Sequence, residues 1–449
     1  IEEYPLSVLW HLMSTKNSKS HIRQEKFEEL WNNVNSNLLN QQKNFLLNTK
    51  ENYFTITNHL INFIKEKKFN SKNISADMVC PLLKKSFQEF EILMPITRYM
   101  LEKYDSSHSI VSMDDLICVL PSKQKPKKIK LIAKNGISNS FLVKIDDDLR
   151  KDMRMMEFVS FMNGILHHDR RCLQRNLSLS TFTVICLNEE CGIIEWIDNT
   201  IQFRKIVEEN LHEQGITLNF GFIKEKLYSD CPISNNINQK KQYNFTNVIL
   251  PSIPPVLYLW FLSEFRQPSL WYQAKLTYIH SVSVWSMIGY IVGLGDRHAE
   301  NILFQEKTGA CLHVDFACLF DKAKTLEIPE IVPFRLTQNI VDAMGVLKTK
   351  GPFSLTCQYT MELMKTKKNK ILSVLQTFVH DPLLEWKNSN ETGENQAISA
   401  IMEVKRRLSC LSEDRSTIQS PKSVVDQLIE EATDNNKLAL MFVGWQPFY

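Results

Sequence analysis

The sequence predicts an α+β protein in which a helical front leads into a strand-built middle and a mainly helical back. Three observations carry that expectation. Residues 1–100 contain no Gly and only Pro5, Pro81 and Pro95 as breakers, and Leu30, Val34 and Leu38 repeat at the spacing of one helix face. From about residue 110 the texture turns to strands, with an Asn135-Gly136 turn between two apolar runs. Beyond residue 200 the helical period returns. Strands and helices gathered into separate runs belong to the α+β class.

The first hundred residues read as several packed antiparallel helices and carry no recognisable chemistry. Ile129–Ala133 and Phe141–Ile145 flank the turn as a strand pair; Phe141, Val143 and Ile145 share one face, Leu142 and Lys144 the other. A helix follows from Asp147 to about Leu166, with Leu149, Met153, Met156, Met162 and Ile165 on its apolar side. Thr181–Leu187 and Ile193–Ile197 are two more strands. Pro251, Pro254 and Pro255 mark a loop, and a helical stretch from about Trp271 runs into Gly293-Leu294-Gly295. Lys387–Gln396 is polar and irregular, an exposed connection. Ser423-x-x-Asp426 opens a last amphipathic helix, Ser423 to about Ala432, in the pattern of a capping box. An apolar tail closes the chain, with Leu438, Leu440, Met441, Phe442, Val443, Trp445 and Phe448.

Bulk composition narrows the classes. At 449 residues about three domains are expected. Lys and Arg number 53 against 50 Asp and Glu, leaving +3, which excludes a polycation and a disordered acidic chain. The ten cysteines form no CxxC pair, which argues against a zinc ribbon or a redox centre. With no signal peptide they read as reduced thiols of an intracellular protein. The longest apolar runs, Ile253–Leu262 and Val282–Leu294, fall short of the ~18 residues that cross a membrane, so no membrane association is expected. A start at Ile1 rather than Met points to a fragment of a longer protein.

The chemistry is concentrated in Gly293-Leu-Gly-Asp-Arg-His-Ala-Glu-Asn-Ile-Leu-Phe304, followed by His313-Val-Asp-Phe-Ala317. An Asp, an Asn five residues later, an apolar strand and an Asp fourteen residues beyond the Asn suit phosphoryl transfer from ATP. One acid takes or orients the acceptor's hydroxyl proton, while the Asn and the second Asp hold Mg²⁺ against the phosphates. A hard cation wants few such oxygen ligands, since phosphate oxygens and water complete its shell. Upstream, Lys144 is set on its strand to reach the α- and β-phosphates, and Asp152, eight residues on, is set to hold it. Singly, each of these is an ordinary loop acid or hydrogen-bonded histidine; order and context carry the reading.

Asp296-Arg297-His298 with Asn301 inverts the His-Arg-Asp order of ordinary protein kinases and resembles the catalytic loop of the phosphatidylinositol 3-kinase superfamily. Asp146-Asp-Asp-Leu-Arg-Lys-Asp152, Cys191-Gly-Ile-Ile-Glu-Trp-Ile197 and Val332-Pro-Phe-Arg-Leu-Thr337 resemble its protein-kinase branch, the PI3K-related protein kinases (PIKKs). The closing Gly444-Trp-Gln-Pro-Phe-Tyr449 resembles their FATC segment. Ser122-Lys-Gln-Lys-Pro-Lys-Lys128, Glu327-Ile-Pro-Glu-Ile331 and His380-Asp-Pro-Leu-Leu-Glu-Trp386 resemble the ATR-type checkpoint kinases of that family. The resemblance spans about residues 110–449.

It implies a bilobal kinase fold with ATP between a β-rich small lobe and a mainly helical large lobe. The implied divisions are a FAT-type helical end over 1–100, the small lobe with phosphate-binding loop and hinge over 101–197, and the large lobe with catalytic and activation loops over 198–386. A regulatory connection over 387–418 and the FATC segment over 419–449 would follow. By the same resemblance Asp296 is the catalytic acid and His298 steadies charge on the moving phosphoryl. Asn301 and Asp315 bind Mg²⁺, with Mn²⁺ as the alternative, and Lys144, positioned by Asp152, contacts the phosphates. Ser122 lies in the loop over the phosphates. Glu195 and Ile197 offer hinge backbone groups to adenine, and Trp196, Leu142, Leu303 and Val314 wall its pocket. The implied activity is serine/threonine phosphorylation at Ser/Thr-Gln sites of protein substrates in nuclear DNA-damage and replication-stress signalling, with an ATRIP-type regulatory subunit and activator proteins.

Two other classes compete: a phosphoinositide lipid kinase of the same superfamily and a catalytically silent scaffold. A phosphoinositide headgroup needs clustered cations. Between Asp315 and Thr337 stand only Lys322, Lys324 and Arg335, so a protein acceptor is favoured. A scaffold would lack Lys144, Asp296, Asn301 or Asp315, and all four are present. Ala317 replaces the glycine of an Asp-Phe-Gly motif, so the backbone there needs no glycine-only conformation. The run Lys123, Lys125, Lys127, Lys128 and Lys130 reads as a solvated loop edge rather than a nucleic-acid patch. Thr337-Gln338 reads as part of the loop's own structure. The apolar tail is expected to be covered, and the resemblance sets it against the activation and catalytic loops.

Overall fold

The computed structural model describes residues 8–17, 21–37, 40–66, 71–96, 106–121, 124–145, 149–232, 236–380, 393–414 and 416–449. They form two compact units, Ile1–Glu157 with Thr181–Asp198, and Phe158–Ser180 with Asn199–Tyr449. Ser122, Lys123, Asp146–Asp148 and Asp381–Trp386 lie outside the described residues.

The first unit is one antiparallel sheet with helices packed on it. In chain order it contains α1 (Val8–Lys16), α2 (His21–Asn37), α3 (Asn40–Lys65), β1 (Asn73–Ser75), α4 (Ala76–Val79), α5 (Pro81–Glu89), β2 (Ile92–Leu93), β3 (Ser109–Met113), β4 (Leu116–Val119), β5 (Lys127–Ala133), β6 (Ser138–Ile145), the start of α6 (Arg150–His168), β7 (Val184–Cys186) and β8 (Cys191–Glu195). The strand order is β1-β4-β5-β6-β8-β7, with β3 pairing both β5 and β2. The Asn135-Gly136 turn is present, Gly136 taking a positive φ of 80°, which glycine adopts without a Cβ clash. Phe141, Val143 and Ile145 are buried, as the alternation predicts.

The first hundred residues are not helical throughout. Residues 73–75 and 92–93 add two short strands to the sheet, and Trp10, Tyr53, Ile64, Phe87 and Ile92 share one core with Ile129, Phe141 and Ile193. Side chains fasten β2 from both sides: Trp10 Nε1 donates to Leu93 O at 2.8 Å, and Leu93 N donates to Tyr53 Oη at 2.9 Å. The strand expected over 181–187 is shorter, because Thr183 N and Oγ1 both donate to the Glu195 carboxylate. Helix α6 begins at Arg150 and buries Met155, Met156, Phe158, Val159, Met162 and Leu166, whereas Met153 and Ile165 are only half-buried.

The second unit is mainly helical. It runs through the rest of α6, α7 (Arg170–Leu173), β9 (Thr200–Gln202), α8 (Phe203–Glu213), α9 (Phe220–Tyr228), α10 (Ile237–Asn244), α11 (Leu250–Ser252), α12 (Leu257–Glu264) and α13 (Pro268–Val292). Then come β10 (Ile302–Gln305), β11 (Cys311–His313), α14 (Gln338–Ala343), α15 (Pro352–Thr366), α16 (Lys368–His380), α17 (Gly393–Leu408), α18 (Pro421–Thr433) and α19 (Asn435–Leu438). The three strands pair antiparallel in the order β11-β10-β9. Helix α13 is the spine: Tyr278, Val284, Trp285, Met287, Ile288 and Ile291 are buried, and Phe261, Tyr278 and Phe304 pack as an aromatic cluster.

The stretch Ile237–Glu264 is long and apolar enough to cross a membrane by composition. Non-helical residues at 253–256 interrupt it, and Trp260 and Phe261 are buried in the unit's core. Of the irregular connection expected over Lys387–Gln396, residues 387–392 lie outside the described residues, and α17 begins at Gly393. The amphipathic helix expected from Ser423 is α18, which starts at Pro421, and its cap is Ser420, whose Oγ accepts from Ser423 N at 3.0 Å. Proline is pre-set for the first helical position, so it moves the start upstream of the expected capping box.

Candidate active site

In the first unit Leu142 and Lys144 sit on β6, on the face opposite the buried Phe141 and Val143. Asp152 is buried in the first turn of α6. Glu195 ends β8; its N–H donates to Thr183 O at 2.7 Å and its carboxylate is taken up by Thr183. Trp196 N donates to Ser140 O at 2.9 Å, and Ile197 follows. Ser122, expected over the phosphates, lies outside the described residues.

The lysine run is not the uniformly solvated edge its composition suggests. Lys127 is buried, and its Nζ donates to Phe63 O, Ile64 O and Glu66 O at 3.0, 2.9 and 2.8 Å. The last carbonyls of α3 have no partner within the helix, and the ammonium supplies one. Burial pulls this lysine's pKa down to about 8. Lys128 lies 4.2 Å from the Trp196 ring centroid and 3.9 Å from Asp198.

In the second unit the structure brings Asp296, His298, Asn301, Leu303, Val314 and Asp315 into one loop-and-hairpin assembly. Helix α13 stops at Gly293, whose φ of 60° is left-handed, and Leu294 N returns to Gly289 O at 2.8 Å. Two glycines then let another segment pass close by. A Cβ on Gly293 would meet Asp321 N at 2.6 Å, and one on Gly295 would meet Ala323 Cβ at 2.2 Å. Asp296 itself has a φ of 57°, and Asp315 one of 62°. Ala317 is not among the left-handed residues of this segment, which are Asp315, Phe320 and Asp321.

Arg297 is the buried tie of this assembly. Its Nε donates to Gly295 O at 2.9 Å, and its terminal nitrogens donate to Val314 O and Asp315 O, joining the two acidic loops. Asn301 Nδ2 donates to Asp296 O at 3.0 Å, which leaves the amide oxygen as the atom able to face a cation. Asp315 Oδ1 accepts from Ala317 N at 3.3 Å. Among the described residues no cluster of three His, Cys, Asp or Glu is poised around one point. One carboxylate and one amide oxygen instead fit a cation whose shell is completed by phosphates and water.

His298 Nδ1 accepts from Glu300 N at 3.2 Å, so the neutral ring carries its proton on Nε2. Burial lowers its pKa, against the pull of Asp296 and Glu300, and keeps it neutral. Asp296 N donates to Glu330 Oε1 at 2.8 Å. Burial raises the Glu330 carboxyl to about 7.

The C-terminal tail closes over this loop. Leu438, Met441, Trp445, Phe448 and Tyr449 are buried, while Phe442 is 56% exposed. Arg335 donates to Arg297 O at 3.2 Å and to Trp445 O and Gln446 O at 2.7 Å each, with its guanidinium 4.4 Å from the Trp445 ring centroid. Gln446 Oε1 accepts from Ala299 N at 3.1 Å, and Tyr449 Oη donates to Glu208 at 2.9 Å. Thr337 is fully buried as the cap of α14, and Gln338 Nε2 donates to Ile253 O and Phe448 O. That dipeptide is structural. A cavity of about 290 Å³ beside Asp296 and His298 is lined by Leu326, Ile328, Phe442 and Trp445. Behind the loop, Arg407 of α17 donates to Asp321 Oδ2 at 2.6 Å and to Tyr290 O at 2.7 Å. Burial works to raise the Asp321 carboxyl, but Arg407 and Lys324 hold it low.

The sequence assigns no role to Glu330, Arg407 and Gln446, and marks Arg335 only as a cation of the 315–337 segment. Three of them stand inside the quoted motifs, so the signal was present, but neither spacing nor residue type says that they bind the backbone of a distant loop.

The family model of phosphatidylinositol 3- and 4-kinases matches residues 138–388, over half of the chain, and the FATC domain model matches residues 418–449. Protein kinase rad3 of Schizosaccharomyces pombe is 34% identical over the whole chain, which covers 19% of that protein. Serine/threonine-protein kinase ATR of Arabidopsis thaliana is also 34% identical over the whole chain, covering 17% of it. MEC1 of Candida albicans is 31% identical over 99% of the chain and is covered to 20%. The chain thus spans about a fifth of the length of the curated relatives it matches. Among solved structures, the FAT and kinase domain of CtTel1 aligns with a TM-score of 0.84 and 25% identity over 98% of this chain and 31% of that one. The open conformation of CtTel1 aligns equally well at 24% identity, over 98% of this chain and 17% of that one. The expected α+β PIKK-type kinase fold is therefore observed, and the chain belongs to the phosphatidylinositol 3- and 4-kinase family, with a FATC domain at its end.

Proposed function

We propose that this chain is the catalytic portion of an ATR-type serine/threonine protein kinase, which transfers the γ-phosphate of MgATP to Ser/Thr-Gln sites of proteins in nuclear checkpoint signalling. The names of its relatives support the protein-kinase reading, and residues 1–100 are read as the end of a FAT-type region. In the small unit Lys144, steadied by Asp152, binds the phosphates; Glu195 and Ile197 offer backbone groups to adenine beside Trp196 and Leu142. Asn301 and Asp315 hold the divalent cation, Mg²⁺ or Mn²⁺. Bound there, the cation neutralises charge building on the transferring phosphoryl and leaving oxygens. Asp296 accepts or orients the proton of the acceptor hydroxyl. His298, neutral with its proton on Nε2, donates a hydrogen bond to a phosphoryl oxygen.

The observation that carries the choice of acceptor is the fate of the activation-segment cations. Of the three, Arg335 is buried and committed to tail carbonyls and Lys324 lies 3.2 Å from Asp321, which leaves the exposed Lys322 by itself. A phosphoinositide headgroup would meet no cationic cluster there. An ATRIP-type subunit and activator proteins belong to the same reading. Labelled ATP offered with a Ser-Gln peptide, a Ser-Ala peptide and phosphatidylinositol tests it. Label on the Ser-Gln peptide is expected; label on the lipid alone would make the chain a lipid kinase, and none on any acceptor a silent scaffold.

A further inference from the structure

We infer that Glu330 is the positioning residue for Asp296, so that order in the activation segment is read out directly at the catalytic acid. The inference rests on the kinase reading above. Asp296 is a non-glycine residue at a φ of 57°, a conformation that persists only where its surroundings hold it. Its own N–H is held by one group, Glu330 Oε1, at 2.8 Å and from 34 residues along the chain.

Glu330 is itself anchored. Its N–H donates to Ala323 O at 3.1 Å, in the short helical turn Lys322–Thr325, and Ala323 is the residue packed against Gly295. Glu330 Oε2 lies 3.2 Å from where a Cβ of Gly295 would stand, so the carboxylate spans the Gly295–Asp296 peptide. The charged and titratable groups facing it are Asp296, Arg297, Arg335 and Cys318. On the far side of the same loop Gln446 accepts from Ala299 N, so the turn bearing Asp296 and His298 is gripped at both ends by side chains remote in sequence. A shift of residues 320–330 therefore withdraws the acceptor from Asp296 and moves the catalytic carboxylate. Nucleotide binding, which uses other residues, is left in place.

Three proteins test this: the unmodified chain, Glu330→Ala and Glu330→Gln. Steady-state turnover is measured on a Ser-Gln peptide, ATP affinity by direct nucleotide titration, and amide hydrogen exchange over residues 290–301. Glu330→Ala is expected to lower kcat about 100-fold, the scale of a reacting group misplaced by an ångström. Its ATP affinity should stay within about threefold, because no phosphate or metal contact is lost. Exchange at 290–301 should speed up. Glu330→Gln should recover kcat to within roughly threefold of the unmodified chain, since an amide oxygen accepts the same N–H. A Glu330→Ala protein with full kcat would overturn the inference. So would a Glu330→Gln protein as slow as Glu330→Ala, because the charge and not the acceptor would then matter. If the unmodified chain labels only lipid, the kinase reading fails as to acceptor and the same ratios are read on lipid. If it labels nothing, the exchange rates alone decide: unchanged protection in Glu330→Ala defeats the positioning role.

Discussion

The two units support their site residues in different ways. In the small unit Leu142 and Lys144 stand on a strand whose neighbours, β5 and β8, pair with it residue by residue. Support there is local and repeated, so each side chain's direction follows from the two-residue pleat. In the large unit Asp296 and Asp315 stand on loops with left-handed backbones. Besides two backbone hydrogen bonds between the loops, Gly295 N to Cys318 O at 2.9 Å and Val314 N to Asn301 O at 3.1 Å, their support comes from single side chains: Arg297 across to Val314 and Asp315, Glu330 onto Asp296, and Gln446 onto Ala299. A ladder shares the loss of one contact among many. A loop held by single hydrogen bonds does not. Each unit also buries a cation against carbonyls remote from it in sequence, Lys127 on the end of α3 and Arg335 between loop and tail; of these two, Arg335 is the one that reaches the loop bearing Asp296, through Arg297 O.

The sharpest test of this contrast is at the acids themselves. Asp296→Ala should reduce peptide phosphorylation by roughly 10³-fold, within the range for loss of a general acid–base group, and leave ATP affinity nearly unchanged. Asp315→Ala should lose turnover and MgATP binding together, because a metal ligand goes with it. Equal loss of nucleotide affinity in both variants would show that the two loops do not divide these roles.

Removing residues 437–449 comes next. It takes away Gln446, the partners of Arg335, and buried Leu438, Met441, Trp445 and Phe448, each worth about 1.5–3 kcal/mol. Turnover is expected to fall about 100-fold, with ATP affinity changed far less, and Gln446→Ala should show the same split in milder form. A truncated chain that phosphorylates peptide at the full rate would mean that the tail is only an anchor for a neighbouring protein.

The paired buried cations give a smaller and more discriminating effect. Arg335→Met strands the carbonyls of Arg297 and Trp445, leaves Gln446 O with Tyr449 N alone, and should cost about 3 kcal/mol in urea unfolding, with turnover lowered as well. Lys127→Met takes the ammonium from Phe63 O, Ile64 O and Glu66 O, of which Phe63 O keeps Glu66 N at 3.3 Å, and should cost about 2 kcal/mol with no separate effect on turnover of the folded protein. If both variants affected kcat alike, the support of the two units would not differ as described.

The smallest effect is one of pH in the small unit. Burial, with a minor push from Arg154, lowers His11 to about 4 in the folded chain, against the ordinary 6.5. Between these values the unfolded chain binds the proton and the folded chain does not, so stability is lost as pH falls from 6.5 towards 4. The free energy of urea unfolding should fall from pH 7 to pH 5 by about 1 kcal/mol, discounted for partial exposure, and His11→Gln should flatten that slope. An unchanged slope would remove His11 from the account.

Much of this was legible in advance, and unevenly so. The hairpin around Asn135-Gly136, the face of Lys144, the long helix ending at Gly293 and the covering of the apolar tail follow from periodicity, turn chemistry and the aversion of apolar surface to water. The strands at 73–75 and 92–93 were hidden because two or three residues carry no period, and their pairing lies 16 to 45 residues away. Lys127 looked like its solvated neighbours, since nothing local says that α3 ends beside it.

By itself the sequence laid out the residues on which the proposed chemistry rests: the spacing of Asp296, Asn301 and Asp315 and the strand position of Lys144 are one-dimensional facts, because each depends on residue type and on the repeat of a nearby element. Only the tertiary structure decided how the catalytic loop is held. Glu330, Arg335 and Gln446 act through backbone N–H and C=O groups, which every residue type presents alike. A hydrogen bond to such a group leaves no mark on the identity of the residue it holds, so the partner appears only when the chain is folded.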